Sequence, residues 1–299
     1  MLLWRTTLLN ELNLGLNLWA LGGTGLVAGL FGSALGVGGG FLIVPILTLA
    51  LHLPIHIAIG SSLVAVVANS CTAAGVYTKA RLTNVKLGLL LETATIPGAL
   101  IGGLAVAFIA PSILSALFGL VLIYAAYTMV TRRHLMYEDV LSADDSVAPD
   151  NTANSLSSTL ASSYYDQNLG KVVTYKVTHV PVGLGAGFFA GILSSLLGIG
   201  GGIIKVPVMH LVMGLPMKAA IATSTFMIAI TATAGALIYH YYGYIYPFIV
   251  APLVIGVVIG SILGTELTKR AGGILLRRIF GVLLFLVALL MFLKAANVI

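Results

Sequence analysis

The stretch LFGSALGVGGGFLIVPILTLALHLP, from Leu30 to Pro54, returns as ILSSLLGIGGGIIKVPVMHLVMGLP from Ile192 to Pro216, a shift of 162 residues without a gap. Matches at the same shift continue through Ala58 and Ala220, Ser62 and Ser224, Tyr77 and Tyr239, Gly98 and Gly260, and Gly102 and Gly264. A repeat unit of roughly a hundred residues is a doubled domain, not a solenoid. Duplicated apolar halves, interrupted by Gly and Pro at corresponding positions, are the signature of a secondary transporter, and the interruptions point to the substrate site.

Composition sets the class independently. The 299 residues are 59% hydrophobic and 8% charged, whereas soluble domains carry about 25% charged residues. Several apolar runs reach the ~20 residues needed to cross a hydrocarbon core of ~30 Å. The net charge of +6 therefore calls for no nucleic acid, because Lys and Arg in short loops of a membrane protein act as topology signals. A single cysteine, Cys71, excludes an intrachain disulfide. No cofactor is implied. His52, His56, His210 and His240 lack the spacing of a metal site, and no convergent nucleophile or acid–base set marks an enzyme. Tyr239, Tyr241, Tyr242, Tyr244 and Tyr246 read as an interfacial aromatic belt.

The chain divides into an N-terminal interfacial or leading helix (1–23), a first transmembrane repeat (24–131), a polar linker (132–178) and a second repeat (179–299). The linker holds six of the nine acidic residues, Glu138, Asp139, Asp144, Asp145, Asp150 and Asp166, and reads as a solvated connector. The pattern predicts helices at 24–36, 41–52, 56–78, 86–109 and 112–131, then at 180–197, 203–214, 217–240, 246–268 and 274–296. The short helix after each glycine run has about 12 residues, or ~18 Å, too little to span alone. Either each pair around the glycines makes one broken crossing, or it enters and returns as a re-entrant hairpin.

Loop charge favours the hairpin. It puts Lys79, Arg81, Lys86, Arg132, Arg133, Lys171, Lys176, Lys218 and Lys269 to Arg278 on one cytoplasmic face, with Arg5 and Lys294 as exceptions. The fold expected is all-α and integral to the plasma membrane: two homologous, inverted repeats, each a Gly-broken re-entrant hairpin plus three transmembrane helices.

Glycine backbone at membrane depth is tolerated only where it is buried in protein or lines a wet cavity. Gly38, Gly39 and Gly40 precede one short helix, and Gly200, Gly201 and Gly202 the other. Helix N-termini present amide N–H groups and favour negative charge, so two of them brought together make a cradle for a small anion. Ser33 with Ser195, Ser61 with Thr223, and Ser62 with Ser224 are matched hydroxyls around it, and Asn69 shares the face of Ser62. Lys205 replaces Ile43 inside an apolar helix, and an intramembrane cation is a functional hypothesis by default. Its alternatives are pairing with the anion, pairing with a carboxylate, or snorkelling to the interface. Glu92 lies well inside an apolar segment, as a carrier of a coupling proton or the partner of a cation. The glycine series 183/187/191 and 256/260/264 serve either internal packing or a homodimer.

The repeated G-x-G-G-G-x-x-x-V-P pattern, GVGGGFLIVP at Gly36 to Pro45 and GIGGGIIKVP at Gly198 to Pro207, resembles the TauE/SafE family of sulfite exporters. The resemblance implies transport of a small anion such as sulfite, an organosulfonate or another small organic anion, with export favoured. Other readings are a passive anion channel and an uptake permease for a small carboxylate or sulfonate.

Overall fold

The computed structural model describes residues 14–131, 160–166, 170–270 and 285–294. Helix α1 (Leu14–Leu35) enters the first glycine segment. The short α2 (Gly40–Pro45) continues as a π-helical turn, Ile46–Ala50. Three longer helices follow: α3 (Ile55–Lys79), α4 (Val85–Ala105) and α5 (Pro111–Thr131). After a β-hairpin of β1 (Ser162–Asp166) and β2 (Lys171–Tyr175), the plan recurs as α6 (Val180–Leu197), α7 (Gly202–Leu211), α8 (Met217–Tyr241), α9 (Pro247–Arg270) and α10 (Phe285–Lys294).

Six of the described helices are long and apolar enough to cross a membrane. A helix satisfies its backbone internally, which is what a bilayer demands of a spanning segment. The chain is an all-α integral membrane protein. Pro54 and Pro216 immediately precede α3 and α8, where a missing N–H costs nothing, and Pro181 sits in the first turn of α6.

The broadest helix contacts run crosswise between the halves. Gly25 and Gly29 of α1 bed against Leu253 and Val257 of α9, and Gly260 and Gly264 of α9 against Leu26 and Leu30. In the other pair, Gly98 and Gly102 of α4 bed against Phe188 and Ile192 of α6, and Gly191 against Thr95. Each set is the other displaced by 162 residues. A glycine lets backbones approach closely, and dispersion over that contact holds membrane helices together. The series 183/187/191 and 256/260/264 thus serves packing within the chain.

Numbering rises together along both pairs, so α1 runs parallel to α9 and α4 to α6. Helices α3 and α8 instead run antiparallel. Gly60 faces Tyr239 and Tyr244, Gly235 faces Leu63, and the crossing falls near Val66 and Ile228. A tight turn reverses the chain between α8 and α9, so α1, α3 and α9 all point the same way. The segment from Gly36 to Pro54 accordingly brings the chain back toward the side from which α1 starts.

Two sequence expectations change. Residues 14–23 are the first turns of α1, continuous with the membrane helix, because their leucines extend its apolar run; residues 1–13 lie outside the described part. The linker is more than a solvated connector. Its second part forms an antiparallel hairpin pairing Ser162 with Tyr175 and Asp166 with Lys171. Tyr164, Tyr175 and Val177 are buried against Tyr77, Leu87, Met213 and Leu215, which outweighs the polar composition. Burial also pushes the Tyr175 phenol above its usual range, so it stays protonated. Asn84 Nδ2 donates to Leu160 O at 2.9 Å and Thr178 N to Met213 O at 3.1 Å. Five of the six linker acids, all but Asp166, lie outside the described residues. The same holds for Arg132, Arg133, Arg277 and Arg278, and for most of the helix expected at 274–296.

Candidate functional site: the paired glycine breaks

Helix α6 ends on Gly198 in the left-handed region, its amide bonded to Ser194 O. Gly36, Gly38 and Gly39 have φ of 67, 92 and 83°, and Gly198, Gly200 and Gly201 have 69, 88 and 74°. Side chains rarely tolerate these angles, which is why glycine recurs at all six positions. Two matching left-handed segments let the chain stop one helix, cross the centre of the protein and start another.

The breaks meet each other. A Cβ on Gly40 would collide with the carbonyl of Gly198, and one on Gly202 with that of Gly36. Gly38 and Gly200 both pack against Val66 Cγ1 and Ile228 Cγ2, at mid-length of α3 and α8. Ser62 Oγ donates to Gly198 O at 2.8 Å and Ser224 Oγ to Gly36 O at 3.4 Å. Hydrogen bonding within the short helices begins with Leu42 and Ile43 to Gly39 O, and with Ile204 and Lys205 to Gly201 O. Both α2 and α7 therefore present their N-terminal, electropositive ends to the centre. Every glycine from Gly36 to Gly40 and Gly198 to Gly202 is buried.

Among the described residues, several buried polar side chains here find no hydrogen-bond partner: Ser61, Asn69, Ser70, Ser194 and Ser195. Such groups are costly in a dry interior and each asks for an explanation. Asn69 Nδ2 lies beside Gly32 and the backbone of Gly39, and Ser194 packs on Gly201. Asn69 and Ser194 thus lie beside the breaks, whereas Ser195, on the last turn of α6, faces Gly235 of α8. Ser33 and Thr223 have other work. Ser33 Oγ donates to Leu30 O and Ser261 O, both at 3.2 Å, tying α1 to α9. Thr223 Oγ1 accepts from Asn84 N at 3.0 Å, at the loop end of α8. Tyr239 is fully buried with its hydroxyl directed at Leu196 O, so it belongs to the core and not to an aromatic belt; Tyr241, 84% exposed, suits one.

Lys205 does not snorkel. Its Nζ lies 3.2 Å from Glu92 Oε1 and 2.8 Å from Thr231 Oγ1, with side chains 2% and 3% exposed for the ion pair. Thr231 Oγ1 is 2.7 Å from Glu92 Oε1 and 3.0 Å from Met227 O. Glu92 Oε2 has no hydrogen-bond partner among the described residues. Lys205 sits one turn from the break, buried among α4 and α8 and held there by Glu92 and Thr231. Thr231 escapes a reading of individual residues, although it is the 162-residue counterpart of Asn69.

Six membrane-length helices packed around two opposed half-helix N-termini define a polytopic membrane protein of the transporter class. The chain matches the family described as "Sulfite exporter TauE/SafE" over residues 21–291, and it belongs to that family. It is 28% identical over 253 residues to the "Probable membrane transporter protein YunE" of Bacillus subtilis (strain 168), covering 82% of this chain and 86% of that protein. A "Probable membrane transporter protein" of Methanocaldococcus jannaschii is 29% identical over 231 residues, covering 74% of this chain and 73% of that one. No solved structure matches.

Proposed function

We propose that the protein is a secondary carrier that moves a small anion, sulfite or an organosulfonate, across the plasma membrane by alternating access between two inverted repeats. The observation that carries this reading is the meeting of the two glycine breaks at mid-length of α3 and α8, with Asn69 and Ser194, unpartnered among the described residues, beside them. Backbone amides and neutral hydroxyls bind an oxyanion without a fixed charge strong enough to hold it. The antiparallel crossing of α3 and α8 supports inversion, since a two-fold that exchanges them reverses their direction. The return of the chain before α3 supports the re-entrant hairpin.

Direct packing of Gly40 on Gly198 and of Gly202 on Gly36 opposes a continuously open pore. A carrier opens this seam from one side at a time. Export is the direction in the family's description.

The test is exchange of radiolabelled sulfite in liposomes containing the purified protein, with unlabelled sulfite, sulfonates, carboxylates and sulfate as competitors. Saturable, competable exchange is expected in the wild type and its loss in Gly201→Leu. Flux that does not saturate would replace the carrier with a channel, and no flux with any of these anions would remove the reading.

A further inference from the structure

The geometry points to Glu92, Lys205 and Thr231 as a proton-operated switch: a proton on Glu92 releases Lys205 to the transported anion, so that anion and proton travel together. This rests on the carrier reading above.

The pair is poorly explained as structure. Burying two charges gains little stability even when every lone pair is satisfied, and here Glu92 Oε2 faces no donor. The other half supplies an internal control. At the same shift, Lys205 corresponds to Ile43, Glu92 to Val254 and Thr231 to Asn69. Ile43 is fully buried, so the repeat packs this position without charge. The fold does not need the ion pair, and a membrane interior does not keep one without a use.

Its position suits that use. Lys205 is in the first turn of α7, its amide bonded to Gly201 O, so its backbone stands at the positive end of α7 while its ammonium is held by α4 and α8. Thr231 is one turn along α8 from Ile228, which packs on Gly38, Gly200 and Gly202. Thr231 Oγ1 lies within hydrogen-bond distance of both Lys205 Nζ and Glu92 Oε1, so it can hold either one as the other leaves. Among the described residues Glu92 has no competing partner. Helix α6, packed along α4, contains no titratable residue. On α7 the other titratable group, His210, is bonded through Nδ1 to Leu215 O. Those of α8, Lys218, Tyr239, His240 and Tyr241, lie at its ends, two turns or more from Thr231. On α4 itself Lys86 is exposed.

The sequence of events balances. With Glu92 ionised, its carboxylate holds the Lys205 ammonium and the site rejects an anion. A proton binds at Oε2, the acid becomes neutral, and the ammonium, no longer held by a carboxylate, takes the anion as its counter-ion. After the site opens to the other side, loss of the anion and of the proton restores the pair.

The experiment measures half-saturating sulfite for exchange in proteoliposomes between pH 6 and pH 8, in wild type, Glu92→Gln and Lys205→Met. Titration of sulfite itself is common to all three and cancels in the comparison. Relative to Glu92→Gln, the wild type is expected to bind sulfite more weakly as pH rises, by up to about tenfold per pH unit, the limit for one proton. Lys205→Met is expected to weaken sulfite at every pH. A wild-type pH profile retained in Glu92→Gln, or unchanged sulfite affinity in Lys205→Met, overturns the switch while leaving the carrier intact. Absence of exchange in the wild type overturns the carrier first. Should Glu92→Gln fail to elute as a folded protein, Thr231→Val, which keeps both charges, decides: a displaced pH profile supports the switch and an unchanged one overturns it.

Discussion

At the scale of residues, function and stability converge on the glycines of the breaks. A methyl group at position 202 has no room, because the neighbour it meets is the backbone carbonyl of Gly36 and not a flexible side chain. Gly202→Ala is expected to cost ~1–3 kcal/mol through overpacking and to lower the unfolding temperature in detergent together with the exchange rate. Ser62→Ala removes the hydroxyl that ties α3 to Gly198 O and is expected to cost ~1 kcal/mol, read by the same thermal measurement. The glycine motif was fully legible in the sequence, because only glycine meets the backbone demands of such a segment and the demand occurs twice. The partnership of Glu92 and Lys205 was not. They stand 113 residues apart, and the sequence offered pairing as one of several fates for each. Ser33 and Thr223 were legible as buried hydroxyls but not as to partner, since a hydroxyl near a break and one bridging two helices look alike in one dimension.

At the scale of elements, helices were read well and the hairpin was missed. Hydrophobic runs give away membrane helices, because lipid imposes one requirement along the whole segment. The hairpin carries its signal in Tyr164 and Tyr165 and in Val172, Val173 and Thr174, β-formers on either side of Gly170. Its tertiary contacts are what make it matter. Asn84 caps α4 through Leu87 N at 3.1 Å and also holds Leu160 O, so one side chain serves both helix and strap. Asn84→Ala is expected to cost ~1 kcal/mol as a lost cap and to speed protease cleavage within residues 160–175, measured by the rate of appearance of the two halves on a gel.

At the scale of the molecule, the turn at Gly243 and the hairpin turn at Gly170 lie at opposite ends of the helix bundle, the first beside the start of α3 and the second beyond its end. In a Cys71→Ser background, Gly243→Cys is expected to react with a membrane-impermeant maleimide in intact cells, and Gly170→Cys only after permeabilisation. Labelling of both from one side would break the inverted reading. The crosswise helix pairing has its own reach. The fourth helix of each half lies along the first helix of the other, so neither half contains its own best packing partner. On the inverted reading proposed above, the two seams are one contact made twice, and a single repeat could close them only against a second copy of itself inserted upside down. Within that shared frame the halves differ in charge, one holding Lys205 where the other holds Ile43.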